Sequence, residues 1–253
     1  MHHSLAGRVV VVTGASSGIG RAIALACARA GAHVLLTYRE SATEAQAVQR
    51  AITALGVRAE TARVDVAAPP TIAALATLAR QQFGRVDAWI NNAGADILTG
   101  AGADLGDLDK LDRLLTVDLK GTMLASWAAS ELMIPQDGGG VIINMSWDHV
   151  LTGMEGRNPQ MFAAVKGGIL SFSKSLARSV APAVRVNVLA PGWIETSFGA
   201  GIDRARYQAI ADATPLKRWG TPDDVAGAAV FLASPAASFM TGQTILINGG
   251  VVM

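Results

Sequence analysis

The chain is expected to fold as one α/β domain, a doubly wound sheet of seven parallel strands with helices on both faces. Three observations lead there. Short β-branched runs alternate with alanine-rich segments of helical length from end to end. The first run passes through a glycine-rich turn directly into a helical segment. The length of 253 residues suits one domain with a sizeable core and is short for two.

Strands are expected at 9–13, 33–38, 59–64, 86–91, 141–145, 185–189 and 244–247, and helices at 21–30, 43–55, 71–83, 108–134, 159–180 and 222–233. Thr221 reads as an N-cap, followed by Pro222 and the acids Asp223 and Asp224 in the first turn. Asp137-Gly138-Gly139-Gly140 reads as a tight helix-to-strand connection. No repeat, low-complexity tract or linker interrupts the series, so residues 1–253 form a single domain. Within it, 193–219 reads as a substrate lid with Gly199 and Gly201 as hinges.

Composition narrows the function. The 21 Lys and Arg nearly balance the 20 Asp and Glu, which removes the electrostatic reason for a nucleic-acid or acidic-membrane partner and leaves a small molecule. No apolar run approaches the ~18 to 20 residues of a spanning helix. Cys27 is the one cysteine, so no internal disulfide forms, and its apolar setting predicts a buried, inert thiol that suits a cytoplasmic protein. The start, with His2 and His3, lacks the pattern of a secretory signal and reads as a solvated tail. No metal site is expected.

The turn after the first strand reads Thr13-Gly14-Ala15-Ser16-Ser17-Gly18-Ile19-Gly20. Gly14 permits a tight turn, Gly18 lets the backbone approach a pyrophosphate, and Gly20 lets the helix pack on the sheet. The helix N-terminus supplies N–H donors to the anion. This is the Rossmann arrangement for a dinucleotide. The end of the second strand carries no Asp or Glu to bind ribose hydroxyls, and Thr37-Tyr38-Arg39 places a guanidinium there instead. NADP(H) is therefore expected over NAD(H), with Arg39 on the 2′-phosphate and Ser16 or Ser17 assisting.

Further motifs recur in order: Asp65-Val66, Asn91-Asn92-Ala93-Gly94, Ala190-Pro191-Gly192 and Thr241-Gly242-Gln243. With the glycine turn they make the chain resemble the short-chain dehydrogenase/reductase (SDR) family over nearly its whole length. The resemblance implies that Asp65 and Val66 flank the adenine and that Asn92, Ala93 and Gly94 lie by the ribose and sheet centre. It implies that Pro191, Gly192, Ile194 and Thr196 face the nicotinamide carboxamide, and that Lys166 orients its ribose. It also implies a homotetramer paired through the fourth and fifth helices. Gly167, Gly168, Ile169, Leu170, Phe172 and Leu176 of the fifth offer more apolar surface than one sheet face needs.

The chemical positions depart from that family. Carbonyl-reducing members use a Tyr acid, a Lys four residues later, a Ser ending the fifth strand and an Asn in the fourth helix. Here Lys166 stands, but Phe162, Trp147 and Asp118 occupy the Tyr, Ser and Asn positions. Phe162 has no proton to donate, so the usual ketoreductase mechanism is not expected. Trp147, Phe162 and Trp193 are expected to line the substrate pocket. Asp148 and His149 fall near the chemistry, and His149 is a natural acid or base, although neighbours on an extended loop point apart and need not pair. Asp118 beside Lys166 looks similar to peroxisomal 2,4-dienoyl-CoA reductases, a branch in which an Asp–Lys pair activates a water while hydride goes to carbon. Its alternative is an ion pair with Arg113 or Lys120.

The resulting expectation is an NADPH-dependent oxidoreductase reducing an activated C=C bond, with Lys166, Asp118, His149 and Asp148 as catalytic candidates. The alternatives are a catalytically silent NADP-binding sensor or subunit, and a non-redox isomerase or lyase. Arg39→Ala should weaken NADPH binding by ~1 to 3 kcal/mol and leave NADH nearly untouched, as measured by titration of each nucleotide. Equal losses for both would refute the cofactor assignment.

Overall fold

A computed structural model describes residues 4–253; His2 and His3 lie outside the described residues. The strands are β1 (Val9–Val12), β2 (His33–Tyr38), β3 (Ala59–Arg63), β4 (Ala88–Asn91), β5 (Gly140–Met145), β6 (Val184–Pro191) and β7 (Thr244–Ile247). They form one sheet in the order β3-β2-β1-β4-β5-β6-β7, every pair parallel. The helices are α1 (Gly18–Arg29), α2 (Ala42–Thr53), α3 (Pro69–Phe83), α4 (Gly100–Ala103), α5 (Asp107–Leu114), α6 (Gly121–Met133), α7 (Arg157–Val180), α8 (Ser197–Ala200), α9 (Arg204–Ala213) and α10 (Pro222–Ala233). Among the described residues no helix is long and apolar enough to cross a membrane.

Because side chains alternate along a strand, the sheet feeds two core layers. Val10 and Val12 pack with Ile23, Val48 and Leu232, from α1, α2 and α10, on one face. Val11 packs with Leu75, Met133 and Leu176, from α3, α6 and α7, on the other. Cys27 lies in the first layer, where burial pushes its thiol up to about 12 and keeps it unreactive at neutral pH. The chain leaves β1 toward β2 and returns to pair β4 on its other side, which opens a crevice at the carboxyl ends of β1 and β4.

Three expectations need correction. The helix expected over 108–134 is not uniform: α5 passes through a π-helical turn, Leu115–Lys120, before α6 begins. The wider turn re-aims Asp118 and buries it. The fourth strand starts at Ala88 rather than at 86, because Gln136 takes up the backbone of Val86, accepting from its N–H at 2.9 Å and donating to its carbonyl at 2.8 Å. The apolar surplus of the fifth helix is partly spent inside, since Ile169 and Leu176 of α7 are buried. Phe172 instead meets Trp127 of α6 edge to face, with Trp127 44% exposed.

Thr221 caps α10 as expected, in a reciprocal capping box with Asp224, and α10 packs on α1, the helix that opens the dinucleotide cleft. The Asp224 carboxyl is held well below the usual carboxylate range by Arg218 and then by the Thr221 N–H. A carboxyl depressed in the folded state stabilises above its unfolded pKa and loses that contribution as pH falls through the folded one. Asp224→Asn should therefore cost about 1 kcal/mol in urea unfolding at neutral pH, with the deficit shrinking below about pH 4.

Candidate active site

The glycine turn between β1 and α1 is dictated by contact as much as by backbone angle. Gly14 has φ +64°, and a Cβ there would stand 2.9 Å from Ala93 Cα. A Cβ on Gly20 would stand 2.2 Å from the Gly14 carbonyl oxygen and 2.4 Å from Asn92 Nδ2. Asn92 explains the closeness, for its amide donates to the carbonyls of Thr13 (3.0 Å) and Gly14 (2.9 Å). Its side chain thus braces the turn, and the N–H groups of Asn92 and Ala93 donate to Thr13 Oγ1, each at 3.0 Å. Ser17 at the N-cap of α1 makes no side-chain cap bond, so the first-turn N–H groups stay available to an anion.

The cleft, about 580 Å³, is lined by this turn, by Arg39, by Asp65 and Val66, and by Asn92, Ala93 and Gly94. These are the residues a nicotinamide dinucleotide needs, and the cradle that a Cβ would fill fits its pyrophosphate. One feature was missed in the sequence. Arg39 Nε lies 3.0 Å from Glu40 Oε1, and Glu40 lines the same cleft. The acid one position past the guanidinium competes for it.

Deeper in the crevice, Lys166 Nζ on α7 meets Asp118 Oδ2 at 2.7 Å, with the carboxylate 1% and the lysine 13% exposed. Asp118 Oδ1 accepts the Ala95 N–H at 2.7 Å, and Gly94 has no side chain to obstruct the approach. Arg113 and Lys120 are therefore not its partners; the π-helical turn carries the carboxylate inward, away from both. Ser146 donates its hydroxyl to the Lys166 carbonyl at 2.8 Å and ties α7 to the end of β5.

Beneath this corner lies a buried network that the sequence did not reveal. Asn91 donates to Asn144 Oδ1 (2.8 Å) and to Ser126 Oγ (3.0 Å), and Asn144 donates to Ser173 Oγ (2.9 Å). It joins β4, β5, α6 and α7 with polar groups whose partners are all specific, so the elements carrying Asp118 and Lys166 are held in register.

Asp148 and His149 do pair, contrary to the extended-loop expectation. They sit in a 3-10 turn, Asp148–Val150, where Asp148 Oδ1 accepts the His149 backbone N–H at 2.8 Å and lies 2.7 Å from Nδ1. Asp148 is fully buried, and its Oδ2 is without a hydrogen-bond partner among the described residues. The His149 ring stacks on Trp147 at 4.9 Å and meets Trp193 edge-on at 6.3 Å. A cavity of about 530 Å³ opens on Trp147, Phe162, Trp193 and Lys166, while His149 lies outside its lining. Of the four catalytic candidates, Lys166 reaches the cavity, Asp118 touches Lys166, and the Asp148–His149 pair stands behind the tryptophans.

A family model described as enoyl-(acyl carrier protein) reductase matches residues 14–252. An uncharacterized oxidoreductase of Methylorubrum extorquens is 40% identical over 98% of both chains. The chain belongs to the short-chain dehydrogenase/reductase family. Among solved SDR structures, a short-chain type dehydrogenase/reductase from Mycobacterium marinum superposes with a TM-score of 0.87 at 31% identity, covering 99% of this chain and 97% of that one. A 7α-hydroxysteroid dehydrogenase complexed with NADH and 7-oxo glycochenodeoxycholic acid superposes with a TM-score of 0.89 at 31% identity, covering 99% and 96%.

This SDR chain has in its crevice an ion pair whose carboxylate is buried. Breaking such a pair from one side strands a charge, at about 3 to 5 kcal/mol. Lys166→Met should destabilise the protein by that amount in urea unfolding, and adding Asp118→Asn should recover most of the loss. Additive losses would mean that the two side chains are not coupled.

Proposed function

We propose that this SDR-type oxidoreductase uses NADPH to reduce an activated C=C bond of a small molecule without a tyrosine acid. The observation that supports the reading best is the Lys166–Asp118 contact, four residues beyond a phenylalanine that can give up no proton. Gly14, Ser16, Gly18 and Gly20 would hold the pyrophosphate, Asp65 and Val66 the adenine, and Arg39, once exchanged from Glu40, the 2′-phosphate. When bound, the dinucleotide supplies the hydride.

The chain's own residues have three tasks. Lys166 orients the ribose side of the site and offers N–H donors to a water. Asp118 fixes the ammonium by ion pairing, so that the water the ammonium holds has one geometry and can give its proton to the substrate carbon, the hydroxide left behind taking a proton from the Lys166 ammonium, which solvent then restores. Trp147, Phe162 and Trp193 exclude other water from the cavity. His149, behind Trp147, is the longer route for a proton. The lid over 193–219 contributes Trp193, Ile202 and Arg206 to the cavity, and assembly through α6 and α7 gives a cytoplasmic homotetramer.

A second reading, a catalytically silent NADP-binding protein, is favoured by one observation: both Asp118 oxygens already have partners, Lys166 and the Ala95 N–H. NADPH oxidation over a panel of conjugated enones and simple ketones separates the two. Enones should be consumed and ketones left, with Lys166→Ala and Asp118→Asn each lowering kcat/KM about 10²- to 10⁴-fold and Phe162→Tyr creating no ketoreductase. Full activity in Asp118→Asn would shift the proton source to His149, and NADPH binding without any turnover would support the silent reading.

A further inference from the structure

The cavity beside Lys166 carries information on what enters it. Its aromatic lining is continuous: Phe162 meets Trp147 at 6.1 Å, and Trp147 is joined to Trp193 through the His149 ring. Trp193 in turn rests on Trp219 at 5.4 Å, and Trp219 stacks on Tyr207 at 4.8 Å. Met154, Leu98 and Ile202 extend the apolar surface, and Ser146, Asn158 and Thr196 add neutral polar groups. Such a wall prefers flat ligands, because ring faces and edges pack best against planar π-systems.

The charges on the lining are one-sided. Lys166 and Arg206 are its charged residues, and no Asp or Glu belongs to it. Lys166 is neutralised by Asp118. Arg206, on α9, has no ion-pair partner among the described residues. The nearby Asp203 spends its carboxylate on the Arg206 backbone N–H at 2.9 Å, as the N-cap of α9. Two other charged groups near this wall have partners: Arg218 is held by Asp224, and Glu195 accepts the Tyr207 hydroxyl. Among the described residues the cavity lining therefore has one cation, Arg206, without an ion-pair partner.

We infer that the substrate is a flat, mostly apolar molecule bearing a carboxylate, its ring system along Trp147 and Trp193 and its anion on the Arg206 guanidinium. The inference rests on the proposed oxidoreductase reading, since it names the substrate class for that same site. It also accords with it, because a conjugated acceptor is planar by necessity. Arg206 is a specificity residue here: a guanidinium grips a carboxylate through two parallel N–H donors, and the lid position lets it follow the ligand as the lid closes.

The test is a binding measurement on the intact protein with NADP⁺ present, using quenching of tryptophan fluorescence by naphthoate and by its uncharged counterpart naphthylmethanol. Naphthoate should bind about tenfold more tightly. Arg206→Gln should abolish that difference while leaving naphthylmethanol affinity unchanged, and Arg206→Lys should restore part of it. Equal affinity for the two probes, no binding of either, or a preference that survives Arg206→Gln would overturn the inference. NADPH binding and oxidation, followed on the same samples, report separately on the oxidoreductase reading: a silent protein can still prefer naphthoate through Arg206, and an active one can fail to.

Discussion

The Asp118 carboxylate is buried with a partner on each oxygen, and the reactive corner is arranged around that pairing. Lys166 supplies one partner from α7, and the Ala95 N–H supplies the other from the loop after β4. Bringing the three together takes a π-helical turn before α6, a glycine at 94 and a hydroxyl from Ser146 that pins α7 to the sheet. Each of these features costs something by itself, since π-helical turns are rare and glycine weakens a chain. The ion pair and its hydrogen bonds make them favourable in combination. The Asn91–Asn144 network beneath serves the same end, because a salt bridge with a buried carboxylate is worth having only when its geometry does not drift.

The dinucleotide cleft obeys a constraint of another kind. Its shape comes from the backbone, with Asn92 reaching across to the carbonyls of Thr13 and Gly14 and Gly20 leaving the space that this reach needs. The two ends of the crevice thus divide the work. At β1 the main chain and a helix terminus shape the cleft; at the other end side chains meet, Asp118 from the π-helical turn and Lys166 from α7. Phe162, which lines both cavities, stands at their junction.

The aromatic wall connects the corner to the segment that follows β6. Trp147 belongs to the end of β5, Trp193 follows β6, and Trp219 and Tyr207 close the far side, so one run of ring contacts spans residues distant in sequence. The Asp148–His149 pair lies behind that wall and steadies it, the carboxylate fixing the imidazole through Nδ1 and the ring lying on Trp147. An acid and a histidine adjacent in sequence are thus packed together in a turn beside the lining, with the ring against Trp147 and Trp193.

The order of residues alone determined the fold class, the seven strands and the glycine turn, because strand periodicity, alanine-rich helices and left-handed glycines are local properties, and each is enforced by sterics within a few residues. The family resemblance carried by its motifs likewise marked Lys166, Asp118, Trp147 and Phe162. What only the tertiary structure decided is who meets whom. That Asp118 turns to Lys166 rather than to Arg113 or Lys120 depends on a π-helical turn that no helical pattern announces. That Glu40 takes Arg39, that Asn91 binds Asn144, and that Arg206 stands without an acid depend on contacts between side chains whose directions are set by packing. Local rules fix where a residue lies along its element; charge pairing and close packing across elements fix where its functional atoms point.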